Sequence, residues 1–440
     1  MCTFQITNDS TLNLNHNILQ PGGPDLSNTI NLDGTYVTHH LLSITGDFTP
    51  QPVEHDGKYF LLMGEIYNYD KSLPSDIYFG IEKYLEYGDK FTEYLDGEFL
   101  FIVIDGNIID FFSDPWGTRQ AYYTTHGDNW YFTTLRISDD SQRFLHNSHY
   151  RFHVKHKIIE LVENELTSWN LEQNINSLDE VINSFEEAVI KRWTPNCTLF
   201  LSGGIDSSAV ALCLHKNKKT FNALSLMVNQ ENEDQEALDA VVKLCNPQYH
   251  KITEIPNEGI TEIDSKYFDL NYAQAEIRRQ TKLQFNSRVV LTGGGADEFI
   301  DNYITKDSSS WKIWPDDLQD IFPYSHFYKG LSRILLDFHE KYSLNFGIEN
   351  RNTFYDKNFV QCWLNTTPEI KNKESKGFLK DYLRMYNIPI SKFPKTGFYK
   401  QNIGHWSKAI RTKKNFKNDH TYETFYSKTI FLGEYDNGHK

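Results

Sequence analysis

The run Thr198-Leu-Phe-Leu201 ends abruptly in Ser202-Gly-Gly204, passes through Ile205-Asp-Ser-Ser208 and continues as a helical stretch to His215. An apolar strand that breaks on two glycines and hands over to a helix is the opening of a parallel α/β unit. The glycines let backbone approach a ligand closely, and the N–H groups that begin the helix favour an anion. Hydroxyls of Ser202, Ser207 and Ser208 add donors for phosphate oxygens, while Asp206 suits a Mg²⁺ ion better than a phosphate. The loop lacks the lysine of a Walker sequence. A second run, Arg288–Leu291, repeats the logic by ending in Thr292-Gly-Gly-Gly-Ala-Asp-Glu298. Asp297 then stands at the carboxyl end of another strand, where open α/β sheets bind ligands. Two aspartates on two such turns could share one Mg²⁺ on a triphosphate.

The surroundings of both turns alternate in the same way. Ser177 and Glu180 have capping-box spacing, and Leu178, Val181, Ile182, Phe185 and Val189 recur at helical intervals, with Lys191 and Arg192 in the last turn. Ala223–Val228 reads as a strand and Asp234–Leu244 as a helix, which predicts a doubly wound parallel sheet. The first 165 or so residues differ. Short apolar runs (Tyr59–Met63, Phe99–Ile104, Trp130–Thr133) are separated by HDG, LDG, DGN and HGD turns, and one helix is expected over Asp76–Tyr87 with Ser75 as its cap. The boundary falls between about 165 and 180, giving a β-rich domain over 1–170 and an α/β domain over 171–440. From about Lys413 the chain is polar and weakly patterned.

Composition narrows the function. With 44 Lys+Arg against 59 Asp+Glu the net charge is −15, the wrong sign for a nucleic-acid binder that neutralises phosphates. No apolar run approaches the ~18 residues of a membrane span, and the first residues have neither the basic nor the apolar region of a signal peptide. The five cysteines form no CxxC pair, against a disulfide framework or zinc site. The expectation is a cytoplasmic protein with small-molecule partners and neither nucleic acid nor membrane.

SGGIDSS resembles the pyrophosphate-binding loop of the N-type ATP pyrophosphatases, and with TGGGADE behind it the chain resembles the asparagine synthetase family. The first half agrees. Met1-Cys2 looks like the start of a class II glutamine amidotransferase, and Gly64-Glu-Ile-Tyr-Asn-Tyr69, Leu95-Asp-Gly-Glu-Phe99 and Asp114-Pro-Trp-Gly117 resemble its glutaminase segments in order. Glu349-Asn-Arg-Asn-Thr-Phe-Tyr-Asp356, Lys380-Asp-Tyr-Leu-Arg384 and Pro394-Lys-Thr-Gly-Phe398 resemble the family's later motifs. The resemblance implies an αββα glutaminase sandwich followed by the ATP-binding domain. It implies a carbon–nitrogen ligase that adenylates a carboxylate with Mg-ATP and then amidates it, aspartate by default, with ammonia from glutamine. Cys2 would be the nucleophile with its own α-amino group as base, Gly64 an oxyanion donor and Asp76 the holder of the substrate ammonium. Ser202, Gly203, Gly204, Ser207 and Ser208 would cradle pyrophosphate, Asp206 and Asp297 would hold Mg²⁺, and Phe200, Met227 and Gly293 would lie near adenosine. Lys395 would neutralise charge on the phosphates and the adenylating transition state. Glu349, Arg351 and Asp356 would be ion-pair partners. The resemblance also leaves room for a homodimer.

Four departures bear on this. Leu41 stands where the family's Arg grips the α-carboxylate of glutamine, and an alkyl chain cannot make that bidentate bond. Met63 replaces the Asn that donates to the oxyanion, a donor whose loss costs about 3–4 kcal/mol. Gly22 replaces an Arg. Gly294 stands where the asparagine synthetases carry a Glu, and glycine performs no acid–base chemistry. The alternative is an ammonia-dependent or cyclising amide synthetase acting on another carboxylate, with its glutaminase half impaired.

Overall fold

A computed structural model describes residues 2–11, 18–138, 140–227, 235–254, 268–301, 313–324 and 326–390. Up to residue 163 the strands are antiparallel and form two six-stranded sheets. Across the first run Gln142–Arg143, Tyr122–His126, Asn129–Thr133, Thr3–Thr7, Thr35–Leu41 and Leu26–Leu32. Across the second run Ile158–Glu163, His149–His153, Ile108–Ser113, Gly97–Asp105, Lys58–Ile66 and Val53–His55. Strand side chains alternate between faces, and burial follows that period. Leu61, Met63, Leu100, Ile102 and Ile104 of the second sheet share an apolar core with Phe4, Ile6 and Val37 of the first. The intervening Phe60, Leu62, Phe99, Phe101 and Val103 pack instead with Ile77 and Ile81 of the helix Asp76–Tyr87. That helix has the expected bounds, but Ser75 makes no cap bond and its hydroxyl is buried without a partner among the described residues. The carboxylate that follows is tied to the sheet instead, Asp76 accepting from the Ile66 N–H at 2.8 Å.

Beyond residue 177 the pattern changes as expected. The Ser177 hydroxyl accepts from the Glu180 N–H at 3.3 Å and opens the helix Leu178–Arg192. The apolar stripe of that helix (Val181, Ile182, Phe185, Val189) is buried, each such side chain contributing about 1.5–3 kcal/mol. Five parallel strands then form one sheet in the order Tyr249–Glu254, Asn222–Met227, Thr198–Phe200, Val289–Thr292, Glu349–Asn352. The helices Leu178–Arg192, Ile205–Lys216, Gln235–Cys245 and Gly377–Arg384 pack as one group, and Phe268–Phe285 packs with Leu331–Leu344 as another. Ala223 belongs to the core of the first group, whereas Leu224 and Leu226 meet Ile277 of the second. Both faces of the sheet are therefore covered, which makes it doubly wound. Chain order reverses between the neighbouring strands Thr198–Phe200 and Val289–Thr292, so the two glycine turns leave the same edge at the topological switch point.

Buried ion pairs join the antiparallel sheets to the parallel one. Arg192 meets Glu98 at 2.7 Å and Asp356 at 2.6 Å. Arg351 meets Glu65 at 2.8 Å and Glu349 at 2.7 Å, and Arg119 is paired with Glu340. The three guanidinium side chains are each 1% exposed. Among the described residues no helix is long and apolar enough to cross a membrane.

Candidate active site

The first turn is held by its own serines. Ser207 Oγ accepts from the Ser202 N–H at 3.2 Å and lies 3.1 Å from Ser202 Oγ, and the Gly204 N–H donates to Ser202 Oγ at 3.3 Å. Gly204 is the N-cap of the helix Ile205–Lys216 and has no side chain to occupy that helix's first N–H groups, which leaves them available to an anion. Ser208 is buried in the first turn of the helix, its hydroxyl without a partner among the described residues. Phe200 packs against Leu224, Leu226 and Ile277, with the Arg278 guanidinium 5.3 Å from its ring centre. Met227 ends the strand Asn222–Met227. The second turn touches the first at Gly293, where a methyl group would lie 2.9 Å from Asp206 Cβ and 3.1 Å from the Ser207 nitrogen. A side chain there would push the turns apart, so glycine is what lets them meet.

Asp206 and Asp297, about 90 positions apart in sequence, converge on one cation. Lys376 Nζ lies 2.7 Å from both carboxylate oxygens of Asp206 and 2.5 Å from Asp297. Lys376 is 7% exposed and adopts a left-handed backbone conformation at the start of the helix Gly377–Arg384. Nothing in the sequence pointed to it, because Lys373-Glu-Ser-Lys376 reads as an ordinary solvated turn. Its ammonium marks a point that both carboxylates reach, which is the geometry a divalent cation needs. Among the described residues no cluster of three or more His, Cys, Asp or Glu could hold a metal by itself. A Mg²⁺ ion, which takes one or two carboxylates plus substrate phosphates, fits this donor set. Beside it burial lifts the Glu298 carboxyl to about 7, and Glu298 Oε2 accepts from the Gly295 N–H. Lys395 lies outside the described residues.

Cys2 is 7% exposed at the start of Thr3–Thr7, its thiol receiving the Leu42 N–H at 3.3 Å. Burial pushes the thiol up to about 11, so any nucleophilic role requires a base. Gly64 lies on the adjoining sheet and Asp76 opens the helix packed on it, where burial and then the Glu65 charge hold the Asp76 carboxyl well above the usual range. Leu41 and Met63 are buried in the same apolar core as Cys2. Gly64 has φ +103°, and a methyl group on it would meet the Glu98 carbonyl oxygen at 1.9 Å. Gly64→Ala is therefore expected to destabilise the chain by more than about 3 kcal/mol, read as a lowered urea midpoint; an unchanged midpoint would contradict this packing.

Residues 180–333 match the family model described as asparagine synthase. The chain is 25% identical over 403 residues to asparagine synthetase [glutamine-hydrolyzing] 2 of Oryza sativa subsp. japonica, covering 80% of this chain and 66% of that protein. It is 26% identical over 405 residues to asparagine synthetase [glutamine-hydrolyzing] of Sandersonia aurantiaca, covering 80% and 74%. The chain thus spans about two thirds to three quarters of the length of these curated relatives. Among solved structures, the allosteric regulatory enzyme of purine biosynthesis aligns with a TM-score of 0.30 at 9% identity, over 63% of this chain and 88% of that one. Residues 180–333 are thus similar to the asparagine synthase family, and over about four fifths of its length the chain is similar to glutamine-hydrolysing asparagine synthetases.

Proposed function

We propose that the chain is an ATP-dependent, AMP-forming carbon–nitrogen ligase of the asparagine synthetase type. It adenylates a carboxylate, aspartate being the first to test, and amidates it with nitrogen released from glutamine at Cys2. The observation that carries the reading is the meeting of the two glycine turns at the switch point, with Asp206 and Asp297 aimed at one cationic centre. The phosphates of ATP would lie across Ser202–Ser208, with Mg²⁺ between the two aspartates and Lys376 and Lys395 balancing phosphate charge. When bound, Mg²⁺ supplies charge neutralisation at the phosphates. Phe200, Met227 and Gly293 would border the nucleoside. Residues 1–170 would serve as the glutaminase half and 171–440 as the synthetase half, in a cytoplasmic homodimer. With Met1 removed, the Cys2 amine takes the thiol proton as sulfur attacks the amide carbon, and Gly64 donates to the oxyanion.

Leu41 and Met63 offer no polar group to glutamine, and this favours a second reading in which free ammonia or an amine of the substrate is the nucleophile. One experiment separates the two. Aspartate, or other carboxylic acids in a panel, is supplied with Mg-ATP and either amide-¹⁵N glutamine or ¹⁵N ammonium, and AMP and labelled product are followed by mass spectrometry. Label from both sources supports the first reading; label from ammonium alone supports the second; no AMP with any acid refutes both. Cys2→Ala is expected to abolish glutamine-dependent product and to leave ammonium-dependent product within about twofold of the parent, since only the first path uses the thiol.

A further inference from the structure

One buried imidazole has no part in the reaction as drawn so far. His339, on the helix Leu331–Leu344, is 4% exposed and lies against the second glycine turn, where a methyl group on Gly294 would come within 3.1 Å of its Cε1. The preceding residue of that turn, Gly293, abuts Asp206 and Ser207. Consecutive residues, whose Cα atoms are about 3.8 Å apart, thus face the phosphate loop on one side and His339 on the other. The ring occupies the space into which a side chain at position 294 would grow.

The hydrogen bonds around the ring fix its tautomer. A guanidinium only donates, and Arg278 Nη2 donates to Asn350 Oδ1 at 2.8 Å. That turns the Asn350 amide nitrogen towards Asn352 Oδ1, to which it donates at 2.9 Å. Asn352 Oδ1 is therefore an acceptor, and the Thr292 hydroxyl also donates to it, at 3.2 Å. His339 Nδ1 lies 2.7 Å from the same oxygen and 3.3 Å from Asn350 Nδ2; the much shorter contact, to an acceptor, places the ring proton on Nδ1. Nε2 keeps its lone pair and pairs with no described residue. Burial, with Arg278 as the charged group facing the ring, lowers its pKa to about 3, so the imidazole is neutral at working pH.

Amide formation needs such a group, because the attacking nitrogen must shed a proton. We propose that His339 Nε2 takes it, an inference that rests on the ligase reading above. The nitrogen lone pair attacks the acyl carbon of the adenylate, the C–N bond forms and the carbonyl π pair moves to oxygen. Nε2 accepts one N–H proton and becomes imidazolium, held through Nδ1–H by Asn352. The oxyanion pair re-forms the carbonyl and breaks the carbon–oxygen bond to the phosphate, AMP leaving with that pair. The imidazolium returns its proton to water. Adenylate phosphate across the turn is anionic, and an adjacent anion raises the proton affinity of an imidazole.

The test uses the full chain with Mg-ATP, ammonium and the acid that gives the parent most AMP in the panel, aspartate first. Adenylation is read as acid-dependent exchange of labelled pyrophosphate into ATP, and amidation as labelled amide. His339→Asn keeps an N–H for Asn352 and has no base; His339→Gln is the second variant. In both, exchange is expected to stay within about threefold of the parent while amide formation falls about 10²-fold or more, the usual worth of a general base. Exchange and amide formation falling in step in both variants would make the role structural and overturn the proposal. Unchanged amide formation overturns it too. A parent that exchanges no pyrophosphate with any acid overturns the ligase reading, and with it the role of His339.

Discussion

Asp206→Asn is expected to lower AMP formation by about 10³-fold or more, because charge stabilisation at a metal-bound phosphate is worth several kcal/mol and each ~1.4 kcal/mol is tenfold in rate. The substitution removes one of the two carboxylates that converge on Lys376 Nζ and leaves Asp297 at 2.5 Å to hold that ammonium. The fold should persist: Asp206 sits in the first turn of Ile205–Lys216, and the buried side chains of Ala209–Leu214, which anchor that helix, are untouched. The variant therefore separates catalysis from folding. The checks are AMP release with the best acid of the panel and a thermal midpoint within a few degrees of the parent. AMP formation within tenfold of the parent would remove Asp206 from the phosphate site.

Arg351→Met carries the largest expected cost in stability, about 3–5 kcal/mol, the usual result of taking one partner from a buried ion pair. Arg351 neutralises two carboxylates at once, Glu65 at 2.8 Å and Glu349 at 2.7 Å, and none of the three side chains is more than 9% exposed. Burial alone would raise the Glu349 carboxyl, yet the cations facing it, Arg351 foremost and then Arg119, hold the group below its ordinary value. A depressed carboxylate contributes stability that is present above its unfolded pKa and is lost as pH falls through the folded value. Burial already holds the Glu65 carboxyl above its ordinary value with Arg351 in place; without the guanidinium each carboxylate loses its largest opposing charge and both pKa values rise. The variant's penalty is then greatest near neutrality and eases in acid, as the orphaned carboxylates take up protons. Urea unfolding at about pH 8 and about pH 5 should show the gap between parent and variant narrowing on acidification; a gap that widens would mean the pair was not stabilising.

The elements that could be read from the sequence are those whose cause is local. Thr198–Phe200 and Val289–Thr292 announce themselves as apolar runs stopped by glycine, and the helices at 76–87 and 178–192 have the predicted bounds because their apolar spacing is regular. Roles that depend on distant partners were out of reach. Lys376 meets Asp206 across 170 positions of sequence, and its neighbours in the chain are polar, so no pattern distinguishes it from a surface lysine. His339 stands among alternating apolar and charged residues of an amphipathic helix, and only Asn350 and Asn352, on a strand that follows, show what its ring is doing. Ser75 illustrates the converse: its type and position favour a cap, yet its hydroxyl makes none, and it is the neighbouring Asp76 that accepts a backbone N–H, from Ile66 of the sheet.

The ionic joint between Arg119, Arg192 and Arg351 and the carboxylates of Glu98, Glu65, Glu340, Glu349 and Asp356 limits how such a chain can be recombined. A hydrophobic joint tolerates a new neighbour of similar size, because apolar contact is forgiving of detail. A joint of desolvated charges accepts only a neighbour that returns each charge to its counter-ion. Exchanging the first 170 residues for those of a relative would therefore require the acids and bases on both sides of the joint to be inherited as one set. Expressed alone, either piece would expose to water a face of side chains suited only to its missing counterpart. Modularity by sequence boundary is thus not modularity by energy, and the unit that can be transplanted from this protein is the whole chain.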